Sequence, residues 1–213
     1  MKVFKDLEIE VDTNMRKEFL AGLERTLPAG WIRDRKAEED TPSATEDKFY
    51  YFVCTPEGER PAALVALVAR DESVMYVSNI VPRDVSELKH DQYNYILDEF
   101  DDKCIRPVAE KMNLRVIRSS GQATLENWVS PDTAKKFHTF SALANKSTGT
   151  SHPNDKERWY EFIIAVVRNN DNLHSSSLAR LLVEEDGWDA DTAEAMAIEY
   201  EQEVGLLKHY LGK

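Results

Sequence analysis

Three apolar runs with short connections constrain the fold of this chain more than any other feature. They cover residues 49–54, 62–69 and 74–81 and are rich in Val, Ala, Phe and Tyr. Connections of this length join antiparallel neighbours, because a parallel crossover needs about a dozen residues or more. The sequence therefore predicts an antiparallel meander of three strands.

Strand and helix patterns alternate around this meander. Apolar residues alternate along residues 3–11, which predicts a half-buried strand, and a helical spacing of apolar residues follows it. A short strand at 31–36 and a polar loop at 37–47 come next. After the meander a long helical pattern begins, which Pro107 is expected to kink or interrupt. Residues 114–117 are predicted as the last strand.

From Ser130 onward the pattern is helical only. Ser130 and Pro131 are typical of a helix start, and residues 146–153 form a polar hinge. Asp191 with Glu194 resembles a capping box and predicts the start of the last helix. The predicted fold class is α+β, with a mainly antiparallel sheet and flanking helices followed by a C-terminal helical portion. The predicted divisions are a sheet domain at 1–125, a helix and hinge at 126–150, and an acidic helical domain at 151–213.

The C-terminal helices carry an unusual charge pattern. Between Arg180 and Lys208 lie 27 residues with nine carboxylates and no Lys, Arg or His. A surface of one sign repels nucleic acid and anionic lipid and attracts a basic partner. We therefore expect a protein partner with a basic surface and no direct binding of nucleic acid. The predicted partner surface comprises Glu184, Glu185, Asp189, Asp191, Glu194, Glu199, Glu201 and Glu203.

The remaining composition predicts a cytoplasmic protein. No apolar run approaches the roughly 18–20 residues that span a bilayer, and the charged N-terminal residues lack the apolar core of a signal peptide. Cys54 and Cys104 lie in apolar patterns, so we expect buried thiols and no disulfide. A membrane-bound role is not expected.

The order of elements in residues 3–145 resembles the fold of the GNAT acyl-CoA N-acyltransferases. The most similar piece is the strand at 75–82 that leads into a helix. In that family the turn after this strand is Gly-rich, and its backbone amides hold the coenzyme A pyrophosphate. Here the turn at 82–88 contains no glycine and two acids, so it departs from that pattern. The resemblance implies a diverged acyltransferase as an alternative function.

A second enzymatic alternative depends on Arg168 and His174. The segment between them is similar to the loose Arg-Asn-x4-His pattern of HEPN ribonucleases, which also use small helical bundles. In such a ribonuclease toxin Arg would stabilise a phosphorane and His would exchange the 2′-hydroxyl proton. Arg83 followed by His90 fits an equally relaxed version of the pattern. A helix that ends at Arg168 with an Asn-rich turn explains the same residues.

The polar hinge is a candidate anion loop. It combines hydroxyls, a lysine and a glycine before a helix start, an arrangement that can hold a phosphate or carboxylate. It lacks the first glycine and the preceding strand of a P-loop, and a capped turn between domains is the simpler interpretation. No metal site is predicted, because His152 and Asp155 have no third ligand at zinc spacing. The candidate loop residues are Lys146, Ser147, Thr148, His152, Asp155 and Arg158.

No convergent set of reactive side chains stands out along the chain. The leading prediction is therefore a non-enzymatic, bacterial-type cytoplasmic interaction or regulatory protein, acting as a subunit of a complex through its acidic C-terminal helices. No cofactor is expected. Arg168 and His174 are the catalytic candidates of the ribonuclease alternative alone.

Overall fold

The computed structural model describes residues 1–40, 48–58 and 60–212. The chain divides into two compact units. We call residues 2–122 the sheet unit, and Met1 with residues 123–213 the helical unit. The fold is α+β, as predicted, and each unit is described separately below.

The sheet unit contains a six-stranded antiparallel sheet within the described ranges. Its strands are β1 (Leu7–Glu10), β2 (Trp31–Arg33), β3 (Phe49–Cys54), β4 (Ala63–Ala69), β5 (Val74–Pro82) and β6 (Arg115–Arg118). Their order across the sheet is β2-β3-β4-β5-β1-β6, and every neighbouring pair is antiparallel. The predicted meander is thus confirmed as β3, β4 and β5.

The tight connection between β4 and β5 is fixed by the side chain of Asp71. Its Oδ1 accepts hydrogen bonds from the backbone N–H groups of Ser73 at 2.7 Å and Val74 at 3.0 Å. An Asp that binds the backbone two residues ahead stabilises a turn locally. These hydrogen bonds from the turn lower the pKa of Asp71 from its ordinary value.

Helices cover the core face of the sheet. They are α1 (Thr13–Thr26), α2 (Arg35–Asp40), α3 (His90–Phe100) and α4 (Arg106–Lys111). The core between sheet and helices is built on the fully buried side chains of Leu7, Ile9, Phe19, Phe52, Met75 and Phe100.

The interruption predicted at Pro107 takes the form of a π-helical segment. This segment, Asp101–Ile105, joins α3 directly to α4. A proline inside a helix lacks an N–H group, and its ring clashes with the carbonyl four residues earlier. The wider π turn ahead of Pro107 is a common local response to such a disruption. As a result, the chain remains helical through Pro107.

The prediction of a loop at 37–47 is wrong for its first residues. The predicted strand at 31–36 ends at Arg33, and α2 begins two residues later. Asp34 starts this short helix, because its Oδ1 accepts a hydrogen bond from the Ala37 N–H at 3.0 Å. Residues 41–47, the remainder of the predicted loop, lie outside the described residues.

The helical unit consists of helices that pack around an aromatic core. They are α5 (Pro131–Leu143), α6 (Pro153–Asn169), α7 (Ser175–Glu184) and α8 (Ala190–Tyr210), preceded by a short 3-10 turn, Leu125–Asn127. Their core contains the buried rings of Phe137, Phe140, Trp159, Phe162, Trp188 and Tyr200.

The sequence predicts one helix start correctly and misplaces another. Ser130 caps α5 and Pro131 occupies its first position, as predicted. The cap of α8 is Asp189 rather than Asp191. The Asp189 carboxylate accepts hydrogen bonds from the backbone N–H groups of Asp191 at 2.9 Å and Thr192 at 3.1 Å. The cap therefore lies two residues before the predicted one, because an acid at either position satisfies the same rule.

Both cysteines are buried free thiols, as predicted. Burial raises the pKa of Cys54 and raises that of Cys104 to about 12, which leaves both thiols protonated at neutral pH. In the part of the chain that the structure describes, no helix is both long enough and apolar enough to traverse a bilayer.

Candidate functional site

The predicted acidic surface lies on the α7–α8 turn and along α8. Glu184, Glu185, Asp189, Asp191, Glu194 and Glu201 are exposed, whereas Glu199 and Glu203 are half-buried. Because these acids occupy different sides of one helix and its preceding turn, they do not form one continuous face. Their individual contacts decide which of them can meet a partner.

Several of these acids already have intramolecular partners. Glu184 Oε1 accepts a hydrogen bond from Arg180 Nε at 3.0 Å, and Glu185 pairs with the N-terminal amine of Met1. The carboxylate of Asp189 serves as the helix cap. Exposed pairs of this kind contribute about 0–1 kcal/mol to stability, but they reduce the charge that a partner meets.

Asp191 and Glu194 retain free carboxylates. Neither carboxylate makes a hydrogen bond or ion pair with any residue in the described ranges, and both side chains are exposed. Glu201, by contrast, accepts a hydrogen bond from Ser175 Oγ at 2.7 Å. Asp191 and Glu194 are therefore the acids most available to a basic partner.

An apolar groove lies between α7 and α8, next to these free acids. It has a volume of ≈ 530 Å³. Its lining includes Val183 on α7 and Ala193, Ala197 and Ile198 on α8, together with the polar side chains of Arg180, Glu184 and Glu194. We call this cavity the α7–α8 groove. Val183 is 39% exposed and Ile198 is 53% exposed, which is unusual for branched apolar side chains.

Further exposed apolar side chains lie along α8 beyond the groove. Leu206 is 69% exposed and Tyr210 is 83% exposed. Together with Ile198 they follow a spacing of four or eight residues, which places them on one side of the helix. We call this stripe and the α7–α8 groove together the α7–α8 face. Exposed apolar side chains grouped on one side of a helix indicate a contact surface.

Sequence reasoning missed this face, although a signal was present. The periodic pattern identified the inner sides of the helices through residues such as Leu178, Leu182 and Met196. Val183 and Ile198 lie outside that pattern. Apolar residues beyond the core stripe of an amphipathic helix indicate a second contact surface.

Glu199 and Glu203 face the interior of the helical unit rather than a partner. Glu203 Oε2, Glu199 Oε1 and the indole Nε1 of Trp159 are buried without a hydrogen bond inside the described chain. Lys156 Nζ lies 3.6 Å from Glu199. Burial raises the pKa of Glu203, and the negative charge of Glu199 raises it further, against smaller opposing effects of Lys156 and Trp159.

We expect Glu203→Gln to stabilise the protein at neutral pH by about 1 kcal/mol. The raised pKa means that folding penalises the charged carboxylate of Glu203. The neutral amide removes this penalty, so its advantage should shrink as the pH falls through the raised pKa and the wild-type carboxyl becomes protonated. Denaturant unfolding across the acid range measures both effects.

Glu194→Gln is the matched control, since Glu194 lies on the same helix but is exposed. Its stability should stay within about 0.5 kcal/mol of the wild type at each pH. A loss of stability in Glu203→Gln at neutral pH would contradict the prediction.

The structure brings together part of the candidate anion loop. Thr148, His152 and Asp155 line a shallow pocket of ≈ 650 Å³, whereas Lys146, Ser147 and Arg158 are not among its described lining residues. His152 Nδ1 accepts a hydrogen bond from the Asn154 N–H at 3.2 Å and so caps α6.

The charged groups of the loop have internal partners. Lys146 Nζ donates to the backbone oxygen of Asp186. Arg158 Nη1 lies 2.7 Å from Asp155 Oδ1, so these two candidate residues form an ion pair with each other. The pocket presents the carboxylate of Asp155, and the two cations of the loop, Lys146 and Arg158, bind other groups of the protein. The geometry therefore gives little support to anion binding.

The two ribonuclease candidates lie at the turn between α6 and α7. Arg168 is exposed in the last turn of α6, and His174 is the exposed residue before α7. No hydrogen bond joins their side chains in the described chain. Asn170 ends α6 with a positive φ of 56°, which is the left-handed conformation typical of a helix C-terminus.

The polar residues around these candidates stabilise the turn. Asp171 accepts hydrogen bonds from the Ser130 N–H at 2.9 Å and from Thr133 Oγ1 at 2.5 Å. Asn169 Nδ2 donates to the hydroxyl oxygens of Ser130 at 2.8 Å and Thr133 at 3.0 Å. These contacts fix the turn to the start of α5, so a structural role accounts for the Asn-rich segment.

The turn that the acyltransferase resemblance places at the coenzyme A site is also internally bonded. Arg83 Nη2 pairs with Asp34 at 2.9 Å, and Asp84 Oδ2 accepts a hydrogen bond from the Ala62 N–H at 3.1 Å. At the following helix, Gln92 Oε1 accepts from the Lys89 N–H at 3.1 Å. Asp84, one of the two acids of this turn, thus binds the backbone of its own unit.

Within the described residues, no three side chains of His, Cys, Asp or Glu are arranged to hold a metal ion. Comparisons with protein-family models, with curated proteins and with solved structures gave no match.

Proposed function

We propose that this chain is a non-enzymatic, cytoplasmic interaction protein, a subunit of a complex that binds a basic partner through the α7–α8 face. The observation that carries the proposal is the exposed apolar groove between α7 and α8, bordered by the free carboxylate of Glu194. Apolar area supplies most of the binding free energy in such interfaces, and charge at the border supplies orientation and association rate.

The shape of the groove favours a helical partner segment. Two adjacent helices with small side chains between them, here Ala193 and Ala197, let a third helix approach closely. Large apolar side chains of that helix would contact Val183 and Ile198. Basic residues on its flanks would meet Asp191 and Glu194. The partner class is therefore a basic amphipathic helix.

The apolar contribution is tested by Val183→Ser combined with Ile198→Ser. Tagged wild type should capture a partner from a lysate of the native host, and the double variant should retain less than about a tenth of it. Both side chains are exposed, so folding should be unaffected. Ile164→Ser is the control, since Ile164 is also exposed but lies on α6. Equal capture by wild type and the double variant would contradict the proposal.

The electrostatic contribution is tested by Asp191→Asn combined with Glu194→Gln. Binding of the captured partner should weaken, and its dependence on salt should become less steep, because two exposed charges that attract the partner are lost. Glu157→Gln with Glu161→Gln removes the same charge from exposed positions of α6 and should change neither property. Binding by the wild type that does not depend on salt would count against a basic partner.

A further inference from the structure

A cavity in the sheet unit gathers positive charge in an otherwise acidic chain. It has a volume of ≈ 780 Å³ and lies where α1 crosses the ends of β2, β3 and β4. We call it the basic cleft. The chain has a formal net charge of −12, yet six of the described residues lining this cavity are cationic. They are Arg16, Lys17, Arg33, Arg35, Lys48 and Arg70.

Three of these cations, Arg33, Arg35 and Arg70, are neutralised by carboxylates. Arg70 Nη2 lies 2.6 Å from Glu8 Oε1. Glu24 accepts hydrogen bonds from Arg35 at 2.5 and 3.0 Å and from Arg33 at 3.3 Å. Arg33 also binds Glu38 through two nitrogens, at 2.8 and 2.9 Å. Hydrogen bonds from Arg35 lower the pKa of Glu24, which keeps this carboxylate charged. These pairs make the wall of the cleft rigid without adding to its net charge.

The other three cations lack such partners. Arg16 donates to the backbone oxygens of Val11, at 3.4 Å, and Asp71. Carbonyl oxygens hold the guanidinium in place but do not cancel its charge. Lys17 and Lys48 are exposed, and neither pairs with a carboxylate among the described residues. The carboxylate of Asp71 accepts hydrogen bonds from Ser73 in its own turn, so it competes weakly for the two lysines.

The cleft also has an apolar and aromatic part. Leu20 and Ala69 contribute to its lining together with the ring of Tyr50. The Arg33 guanidinium carbon lies 5.4 Å, and Lys48 Nζ 5.9 Å, from the centre of this ring. A cavity of this size with a few convergent polar groups suits a small organic ligand.

We propose that the basic cleft binds a small organic anion with adjacent phosphate groups, of the nucleoside diphosphate class. Arg16, Lys17 and Lys48 are three cations of its lining that no described carboxylate neutralises. A diphosphate carries about three negative charges at neutral pH, since the second ionisation of a terminal phosphate has a pKa of about 6. Lysine and arginine side chains are the usual protein donors to phosphate oxygens.

The cleft fits a small molecule better than a nucleic acid. A nucleic acid needs a track of cations along its backbone, and here the positive charge is confined to one cavity. Glu72 lies on the border of the cleft, and Glu18, which follows Lys17, is also an exposed acid. The proposal is independent of the α7–α8 face, which belongs to the other unit.

Calorimetric titration of the full chain with ADP and with inorganic pyrophosphate, in the absence of metal, tests this site. Both ligands should bind, and Lys17→Gln combined with Lys48→Gln should weaken binding by about tenfold or more. The control is Lys89→Gln combined with Lys111→Gln, which removes the same charge from exposed positions outside the cleft. Its affinity should stay within about twofold of the wild type.

The two ligands separate the sources of affinity. If ADP binds with higher affinity than pyrophosphate, the nucleoside contributes part of the affinity. If the two affinities are equal, the phosphate groups account for it. Both results support the site. Absence of heat and of thermal stabilisation with both ligands at about 1 mM overturns the proposal. It is also overturned if the control pair weakens binding as much as the cleft pair, or if only an RNA oligonucleotide binds.

Discussion

Glu99→Ala is expected to destabilise the sheet unit by about 3–5 kcal/mol. Arg60 and Glu99 form an ion pair in which both side chains are almost fully buried. Two further donors of Arg60 bind the backbone oxygen of Thr55, at 2.7 and 3.1 Å, so this guanidinium has few ways to reach water. Removal of the carboxylate leaves the buried cation with the exposed Glu57 as its counter-ion among the described residues, and an exposed pair compensates little of the cost of burial. Denaturant unfolding monitored by circular dichroism measures the loss.

A second acid on the same arginine supplies the control. Glu57 lies 3.3 Å from Arg60, but its side chain is 72% exposed. Glu57→Gln should therefore cost less than about 1 kcal/mol, because water screens an exposed pair. Similar losses in the two variants would show that burial does not determine the strength of this pair.

The Arg60–Glu99 pair also makes the stability of the protein depend on pH. Burial alone raises the pKa of Glu99, but hydrogen bonds from Arg60 and Lys103 outweigh this effect and lower it. A carboxylate whose pKa is lower in the folded state contributes stability at neutral pH, and that stability is lost as the pH falls through the acid range. In Glu99→Ala this part of the acid sensitivity should be absent.

The local pattern of the sequence was sufficient for most of the secondary structure. Short connections predicted the antiparallel meander because loop length limits which strands can pair. Ser130 and Pro131 predicted the start of α5 because capping depends on the nearest N–H groups alone. The same rule misplaced the start of α8, where Asp189 and Asp191 are both acceptable caps and packing selects the first.

The candidate sites depended on contacts that no local pattern reveals. The basic cleft joins Arg16, Arg33, Lys48 and Arg70, which are far apart in the sequence and meet only after the sheet has formed. Charge counting in windows of sequence emphasised the acidic C-terminus and could not identify that cavity. The acyltransferase resemblance remains a prediction, since it depends on the order of elements in the sequence. The turn that it places at the coenzyme A site makes internal hydrogen bonds in the structure.

Trp188→Ala is expected to destabilise the helical unit by about 3–5 kcal/mol. Trp188 lies in the turn that joins α7 and α8, and its indole is almost fully buried and stacks on Phe140 of α5 with ring centroids 5.6 Å apart. Its Nε1 donates to Ser141 Oγ at 3.0 Å. The truncation removes a large apolar side chain, leaves a cavity, and abolishes one buried hydrogen bond, so several unfavourable effects act together.

Ser141→Ala separates these effects, because it removes the hydrogen bond and keeps the ring. We expect it to cost about 1–2 kcal/mol, less than the tryptophan loss. Hydrogen exchange of the α7 and α8 amides provides the second measurement. In Trp188→Ala these amides should exchange faster than those of α6, because the ring closes the turn from which α8 starts.

The consequence for function follows from the same geometry. Val183 and Ile198 form one groove only while α7 and α8 remain packed against each other, and Trp188 lies in the turn that joins these helices. Trp188→Ala should therefore weaken partner capture although it alters no exposed residue of the α7–α8 face. Undiminished capture by a variant whose α7 and α8 amides exchange rapidly would show that the partner does not require the groove.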